Sequence, residues 1–348
     1  MDIRTVGIDL GKSVFHLVGV NAAGEVVVRK KFSRERLLQF TANLRVERIG
    51  MEACPGAHFL GRALHAQGHD VRIMPAQYVK PYVMTNKNDY IDAEAIAEAV
   101  WRPKTRFVPI KTDDQLDMQS LHRAREGWVR RRTSLVNQIR GLLLERGITI
   151  RKGRRYAEEA LPGILEDPGT NLSGPLRTLL AQLQGELKHL QHQIDDADVV
   201  IFKAASEHEA CKRLMAIPGI GPVVATAIVA AIGYGGNFQK GRGFAAWLGL
   251  VPRQYSTGGK QTPLGISKRG NRYLRHLFVH GARAVLRYKE KQSSGLSDWL
   301  GKLSSRTHHN VAAVALANKL ARMAWAVLAK GETYRPPLLA AAEPVSLS

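Results

Sequence analysis

Val6-Gly7-Ile8-Asp9-Leu10-Gly11-Lys12 is an apolar stretch that ends on a carboxylate, and the fold class follows from reading outward from it. Ile3–Asp9 has the composition of a short strand. Val14–Val20 and Glu25–Phe32 follow as two more, separated by Gly11-Lys12-Ser13 and Asn21-Ala22-Ala23-Gly24. Three strands with tight connections predict an antiparallel meander. Beyond it the pattern gives a helix over Arg34–Leu44, a strand over Glu47–Glu52, a helix over Ala57–Gln67 and a strand over Asp70–Pro75. Ile91–Trp101 is a further helix. A meander followed by strand–helix–strand units predicts a mixed α/β sheet.

Four carboxylates stand out against this frame. Asp9 ends the first strand, and Glu52 ends the fourth in Ile49-Gly50-Met51-Glu52-Ala53. Asp89 and Asp92 lie three apart at a helix start, so both can point from one face. Acids from two strand ends and one helix can converge on one or two hard divalent cations, and Mg²⁺ (or Mn²⁺) suits such an oxygen-rich set. Each residue also has a plainer use: Asp89 or Asp92 can be an N-cap, and Asp9 can belong to the turn at Gly11. Gly7–Ser13 also resembles the phosphate loop of actin-like ATPases and sugar kinases. That reading needs a second Asp-x-Gly loop in a strand–turn context. The candidate, Asp167-Pro168-Gly169-Thr170, falls in a helical region, so an ATPase is not expected.

The chain carries a net charge of +21, a surplus that attracts polyanions through counterion release. Its distribution is uneven. Residues 1–100 hold 13 Lys/Arg against 11 Asp/Glu, whereas residues 240–291 hold 12 Lys/Arg and one acid, Glu290. That is the footprint of a nucleic-acid partner more than of general solubility. Cys54 and Cys211 are far apart, which excludes a disulfide framework and a cysteine zinc site. Asp9 and Lys12 interrupt the first apolar run, so no signal peptide is expected there. Lys319 and Arg322 interrupt the apolar helix over Val311–Leu328, so no membrane partner is expected, and a soluble protein of the cytoplasm is.

Between the acidic and basic regions, Thr112–Leu144 and Leu176–Phe202 predict two long helices flanking a turn at Pro162-Gly163 and Pro168-Gly169. This is the pattern of an antiparallel hairpin or coiled-coil spacer that could serve oligomerisation. Arg130-Arg131-Arg132 and Arg151–Arg155 on that arm could also touch nucleic acid. Farther on, Ile217-Pro218-Gly219-Ile220-Gly221-Pro222 resembles a helix–hairpin–helix, whose Gly219 and Gly221 would let backbone N–H groups approach a phosphate. Then comes Arg253-Gln254-Tyr255-Ser256-Thr257-Gly258-Gly259-Lys260, followed by Ser267-Lys268-Arg269-Gly270-Asn271. A hydroxyl pair ahead of Gly-Gly-Lys, in a loop between helices, offers a nucleophile. Arg253, Lys260, Lys268, Arg269 and Arg272 could hold a scissile phosphate beside it. A Ser-Thr-Gly-Gly segment also serves as an ordinary flexible turn.

Taken together these motifs resemble the DEDD transposases, insertion-sequence recombinases related to the Piv and MooV DNA invertases, over nearly the whole chain. The resemblance implies an RNase H-like (RuvC-like) domain over residues 1–110, with Asp9, Glu52, Asp89 and Asp92 as catalytic and metal-binding residues. It implies a spacer over 111–205, a basic transposase domain over 206–335 and a loose tail over 336–348. The C-terminal domain is expected to be mainly α. Its serine would attack DNA to form a covalent phosphoserine link. Ser256 keeps the better spacing to Ser267-Lys268, while Thr257 is the residue next to Gly258. The partners implied are donor and target DNA, a noncoding bridge RNA, and further copies of the chain in a tetramer arranged as a dimer of dimers. Two alternatives remain open on the residues alone. One is a metal-dependent RuvC-like nuclease or junction resolvase without serine chemistry; the other is a noncatalytic basic DNA-binding architectural protein.

Overall fold

A computed structural model describes residues 2–83, 88–103, 105–257 and 260–336, apart from the side chains of residues 256, 257, 260, 261 and 263. The chain divides into two compact units, residues 1–113 and 114–348.

The first unit opens with the meander β1 (Thr5–Leu10), β2 (Phe15–Val20) and β3 (Val26–Phe32), then α1 (Arg34–Ala42), β4 (Arg48–Glu52), α2 (Ala57–Ala66), β5 (Val71–Met74), the short α3 (Ala76–Val79) and α4 (Asp89–Ala99). The five strands form one sheet in the order β3-β2-β1-β4-β5. β1 pairs antiparallel with β2 and parallel with β4, and β4 pairs parallel with β5. This is the mixed α/β sheet expected.

Strand alternation sorts the side chains into two layers. Val6, Ile8, Leu17, Ile49, Met51 and Ile73 point to one face, where Leu37 of α1 and Leu60 and Leu64 of α2 cover them. The opposite face carries Val18 and Val20 of β2 and is covered by α4 through Ala93 and Ala97. Gly7 and Gly50 are partners across the β1–β4 ladder on this second face. A Cβ at Gly7 would lie 1.9 Å from the Ala93 carbonyl oxygen, and one at Gly50 would lie 3.0 Å from Ile96 Cγ2. The two glycines let α4 lie directly on the sheet, Gly7 under Ala93 and Ala97 and Gly50 under Ile96 and Val100.

The second unit contains α5 (Asp113–Leu144), α6 (Arg154–Glu166), α7 (Gly174–Glu207), α8 (Glu209–Met215), α9 (Pro222–Ile232), α10 (Gly241–Trp247), β6 (Pro252–Thr257), β7 (Lys260–Ile266), α11 (Arg272–Arg287), α12 (Ser294–Ser304) and α13 (His309–Lys330). It has two cores. Leu135, Val136, Ile139 and Leu143 of α5 pack with Leu180, Leu187 and Leu190 of α7, and Ile150 of the connection with Ala157 and Leu161 of α6 complete that core. The two expected long helices are present as α5 and α7, and Pro168-Gly169 falls in the turn before α7, but a third helix, α6, lies between them. The Pro162-Gly163 pair is not a turn but lies inside α6, because Ala157 and Leu161 seat that helix in the core despite the proline. The larger core gathers α8–α13 around Phe244, Phe278, Leu316 and Leu320.

A second correction concerns Ser256. Its segment is not a loop between helices but an antiparallel β-hairpin, with Ser256 opposite Gln261 and Thr257 opposite Lys260. Gly258 and Gly259, between the last paired residues, lie outside the described residues, as do residues 337–348 of the expected tail. Among the described residues α13 is the one helix long and apolar enough by length and composition to cross a bilayer, but half of its most apolar window is buried inside the unit.

Candidate active site

The acids converge because of the packing just described. Thr5, Gly7 and Asp9 alternate onto the α4 face of β1, and Gly50 and Glu52 onto the same face of β4. The parallel register sets Ile8 beside Met51, so Asp9 and Glu52 leave adjacent strand ends. α4 runs antiparallel to β1. Trp101, beyond its C-terminus, donates from Nε1 to Thr5 Oγ1 at 2.6 Å, at the start of the strand. The helix therefore begins where the strand ends, with Asp89 beside Asp9 and Asp92 in the same first turn of the helix.

Asn88 is the N-cap of α4, its side chain accepting from the Tyr90 amide at 3.0 Å. The capping role open to Asp89 and Asp92 is thus taken by another residue. Both acids sit in the first helical turn, where the helix dipole favours negative charge.

One ligand atom each from Asp9, His16 and Asp89 lies within 4.8 Å of the other two. His16 Nδ1 is 3.5 Å from Asp89 Oδ2, and its ring packs edge-on to Tyr90. Sequence reasoning missed this histidine. The signal was available, because Asp9 and His16 face each other across the β1–β2 hairpin. Glu52 and Asp92 do not join the 4.8 Å set. The Cys54 thiol is raised by burial, then by the charges of Glu52 and of Asp9, so both carboxylates act on one locality. Oxygen donors with one imidazole nitrogen fit a hard or borderline divalent ion such as Mg²⁺ or Mn²⁺.

In the second unit the expected phosphate-holding residues fall in four places. Gly219 has φ +82°, and a Cβ there would lie 2.8 Å from the Gly281 carbonyl oxygen of α11, so close helix packing already requires this glycine. Gly221, the N-cap of α9, faces open space. Arg253 is exposed on β6, and Lys260 opens β7 with its side chain outside the described residues. Lys268 and Arg269 are exposed between β7 and α11. Lys268 has φ +53°, the one non-glycine residue with positive φ among those described. Such a conformation costs roughly 1 kcal/mol, and the bond from its amide to the Gly249 carbonyl at 3.1 Å helps hold it. Arg275, which sequence reasoning missed, donates to the Leu248 and Arg269 carbonyls and ties this segment to α10. Arg272 lines a cavity of about 340 Å³ together with Arg123, Arg130 and Asn271.

Beneath that cavity His122 is buried. Its Nε2 lies 3.0 Å from Thr226 Oγ1 and its Nδ1 3.0 Å from the Tyr273 hydroxyl. Thr226 donates its own proton to the Pro222 carbonyl. The threonine therefore accepts from Nε2–H and the tyrosine donates to Nδ1, which is the neutral tautomer. Burial, then the charge of Arg125, drives His122 down to about 4, with Asp198 opposing. The unfolded chain takes up this proton near pH 6.5 and the folded chain does not. The stability contributed is full above that pH and is lost as pH falls toward 4, up to about 3 kcal/mol. The urea midpoint of the full chain should fall across this window, and a His122→Gln chain should lose less. Equal slopes for the two proteins would rule His122 out as the source.

Comparison with known proteins adds to this geometry. Residues 211–297 match the family described as "Transposase IS116/IS110/IS902 family". Residues 6–147 match the DEDD transposase family of IS110-type elements. The chain is 44% identical, over 97% of its length and 100% of the relative's, to the "Probable family 20 transposase" of Pseudomonas aeruginosa. It is 42% identical to the transposase for insertion sequence element IS1328 of Yersinia enterocolitica, covering 96% of this chain and 99% of that one. It is also 42% identical to the transposase for insertion sequence element IS1111A of Coxiella burnetii, covering 96% and 92%.

Proposed function

Because the chain belongs to the IS116/IS110/IS902 family of insertion-sequence transposases, we propose that it cuts and rejoins DNA through a covalent phosphoserine intermediate, directed by a noncoding bridge RNA. The observation that carries this reading is the gathering of Asp9, His16 and Asp89, with Glu52 on the adjacent strand end, where α4 meets the sheet. The sheet order, an antiparallel meander followed by parallel strands, is compatible with an RNase H-like (RuvC-like) domain.

In this reading Asp9, Glu52, Asp89 and Asp92 hold Mg²⁺ or Mn²⁺, and His16 orients Asp89. A divalent ion bound there supplies charge neutralisation at the scissile phosphate. The protein's own part is positional: the β1–β4 ladder and the seat of α4 on Gly7 and Gly50 hold the acids in place. Ser256 Oγ attacks phosphorus, the bond from phosphorus to a sugar oxygen breaks, and the sugar leaves as a hydroxyl carrying a proton. The serine proton goes to a base. The phosphodiester energy is kept in the serine link, so attack by a hydroxyl of the new partner strand restores DNA and frees the serine without ATP. Arg253, Lys260, Lys268, Arg269 and Arg272 contact phosphates on this reading, as do the backbone amides at Gly219 and Gly221. The chain acts in the cytoplasm on nucleoid DNA, as a tetramer that assembles its sites between subunits.

The test is to purify the full chain from cells carrying its element, sequence any RNA that co-purifies, and assay strand joining with that RNA, Mg²⁺ and DNA. A structured RNA encoded beside the gene, needed for joining, is the expected result. Joining that proceeds without RNA would end the guided reading, and cleavage by water with no joining would leave a nuclease.

A further inference from the structure

The second unit contains a cationic cleft that the mechanism above does not use. It has a volume of about 760 Å³ and lies among α10, α12 and α13. Lys240 and Arg242 flank Gly241 at the start of α10, while Lys319, Arg322 and Lys330 come from α13. The three α13 residues are three and eight apart, which sets them on one face of a helix with 3.6 residues per turn. Ala315 and Ala326 line the cleft from the same face, so small side chains leave the space between the cations open.

The fold brings the two helices together at this point. A Cβ on Gly241 would lie 3.1 Å from the Arg322 carbonyl oxygen and 3.2 Å from the Trp325 ring, so the glycine lets α10 sit close against α13. Lys319 Nζ rests 4.3 Å over the ring of Trp299 from α12, which holds the ammonium at the cleft wall. No acid lines the cleft, and none of the five cations enters an ion pair among the described residues. Some basic side chains elsewhere on this unit are paired, as Arg125 is with Asp198 and Lys302 with Asp298. Five like charges gathered at one opening repel one another, and a polyanion would relieve that repulsion.

We infer that this cleft binds the sugar–phosphate backbone of a nucleic acid along α13. Lys319 to Lys330 covers roughly 16 Å of helix axis. At about 3.4 Å of duplex axis per phosphate on each strand, that length matches several consecutive phosphates rather than one small anion. The inference rests on the reading of the chain as a transposase and adds to it a backbone site built from α10 and α13. DNA and RNA share this chemistry, and the test separates them.

The experiment compares the wild-type full chain with the Lys240→Gln/Arg322→Gln/Lys330→Gln chain. Fluorescence anisotropy would follow binding to duplex DNA and to single-stranded RNA of about 30 nucleotides over a range of NaCl. The variant should bind at least one probe ~10-fold more weakly near 0.1 M salt, with a log K against log salt slope shallower by about two on the single strand or about three on the duplex. Loss on DNA alone assigns the cleft to DNA, loss on RNA alone to RNA, and loss on both to either backbone. A Lys240→Arg/Lys330→Arg chain should bind as the wild type does, because the charge is kept. If the triple variant unfolds, Lys330→Gln alone decides, with an expected slope change near one. Wild-type affinity and slope in the neutralised chain on both probes would overturn the cleft and leave the transposase reading standing. A wild-type chain that binds neither probe would overturn both.

Discussion

An Asp9→Asn chain is expected to fold as the wild type does and to join donor and target DNA at least ~10³-fold more slowly, a loss of about 4 kcal/mol of transition-state stabilisation. The backbone of Asp9 is held on one side by β2, where it faces His16, and β1 pairs with β4 on the other. Asparagine has nearly the same shape, so the strand and the seat of α4 should survive. What changes is charge, because an amide oxygen is a poorer ligand for a divalent ion than a carboxylate. The wild-type melting midpoint should rise with added Mg²⁺ or Mn²⁺, as binding to the folded state requires, and the Asp9→Asn midpoint should not. Asp2→Asn, the same change at an exposed position, serves as the control. Undiminished joining by Asp9→Asn would remove the acidic cluster from the mechanism.

Ser256→Ala should abolish both joining and the covalent protein–DNA adduct, by ~10⁴-fold or more, since removing an enzyme nucleophile has effects of that order. Ser256 is one of the last residues of β6, paired with Gln261 next to the Thr257–Lys260 pair. A two-stranded ribbon holds a nucleophile more firmly than a free loop does, which favours a defined attack geometry. The adduct can be trapped with a nicked suicide substrate and located by peptide mass spectrometry. Thr257→Val should retain it. An adduct that persists in Ser256→Ala and disappears in Thr257→Val would move the chemistry to the threonine. A chain that cleaves without any adduct would be a water-using nuclease.

Most of the first unit was legible in the sequence. Apolar runs of strand length, separated by Gly and Asn turns, specify β1 to β5 locally, and alternation along them puts Asp9 and Glu52 on one face. The second unit was less legible. Pro162-Gly163 has the signature of a turn, yet burial of Ala157 and Leu161 keeps α6 helical through it. Tyr255-Ser256-Thr257-Gly258-Gly259-Lys260-Gln261-Thr262 contains a hairpin signal, Gly-Gly between β-prone residues, that the surrounding helical pattern obscured.

Local pattern and charge thus determined the mixed sheet, the acids at its strand ends, the basic C-terminal stretch and the family resemblance. Each depends on residues close in sequence or on composition. Three features were decided by tertiary packing alone. The seat of α4 on Gly7 carries Asp89 to Asp9 and His16, and the seat on Gly50 brings the same helix over β4, at whose end Glu52 stands. The approach of α10 to α13 at Gly241 gathers cations that lie up to ninety positions apart along the chain. Local periodicity says which face a side chain takes, but not which distant face it will meet. That is settled when buried surfaces fit together, and here glycine positions set how closely they do.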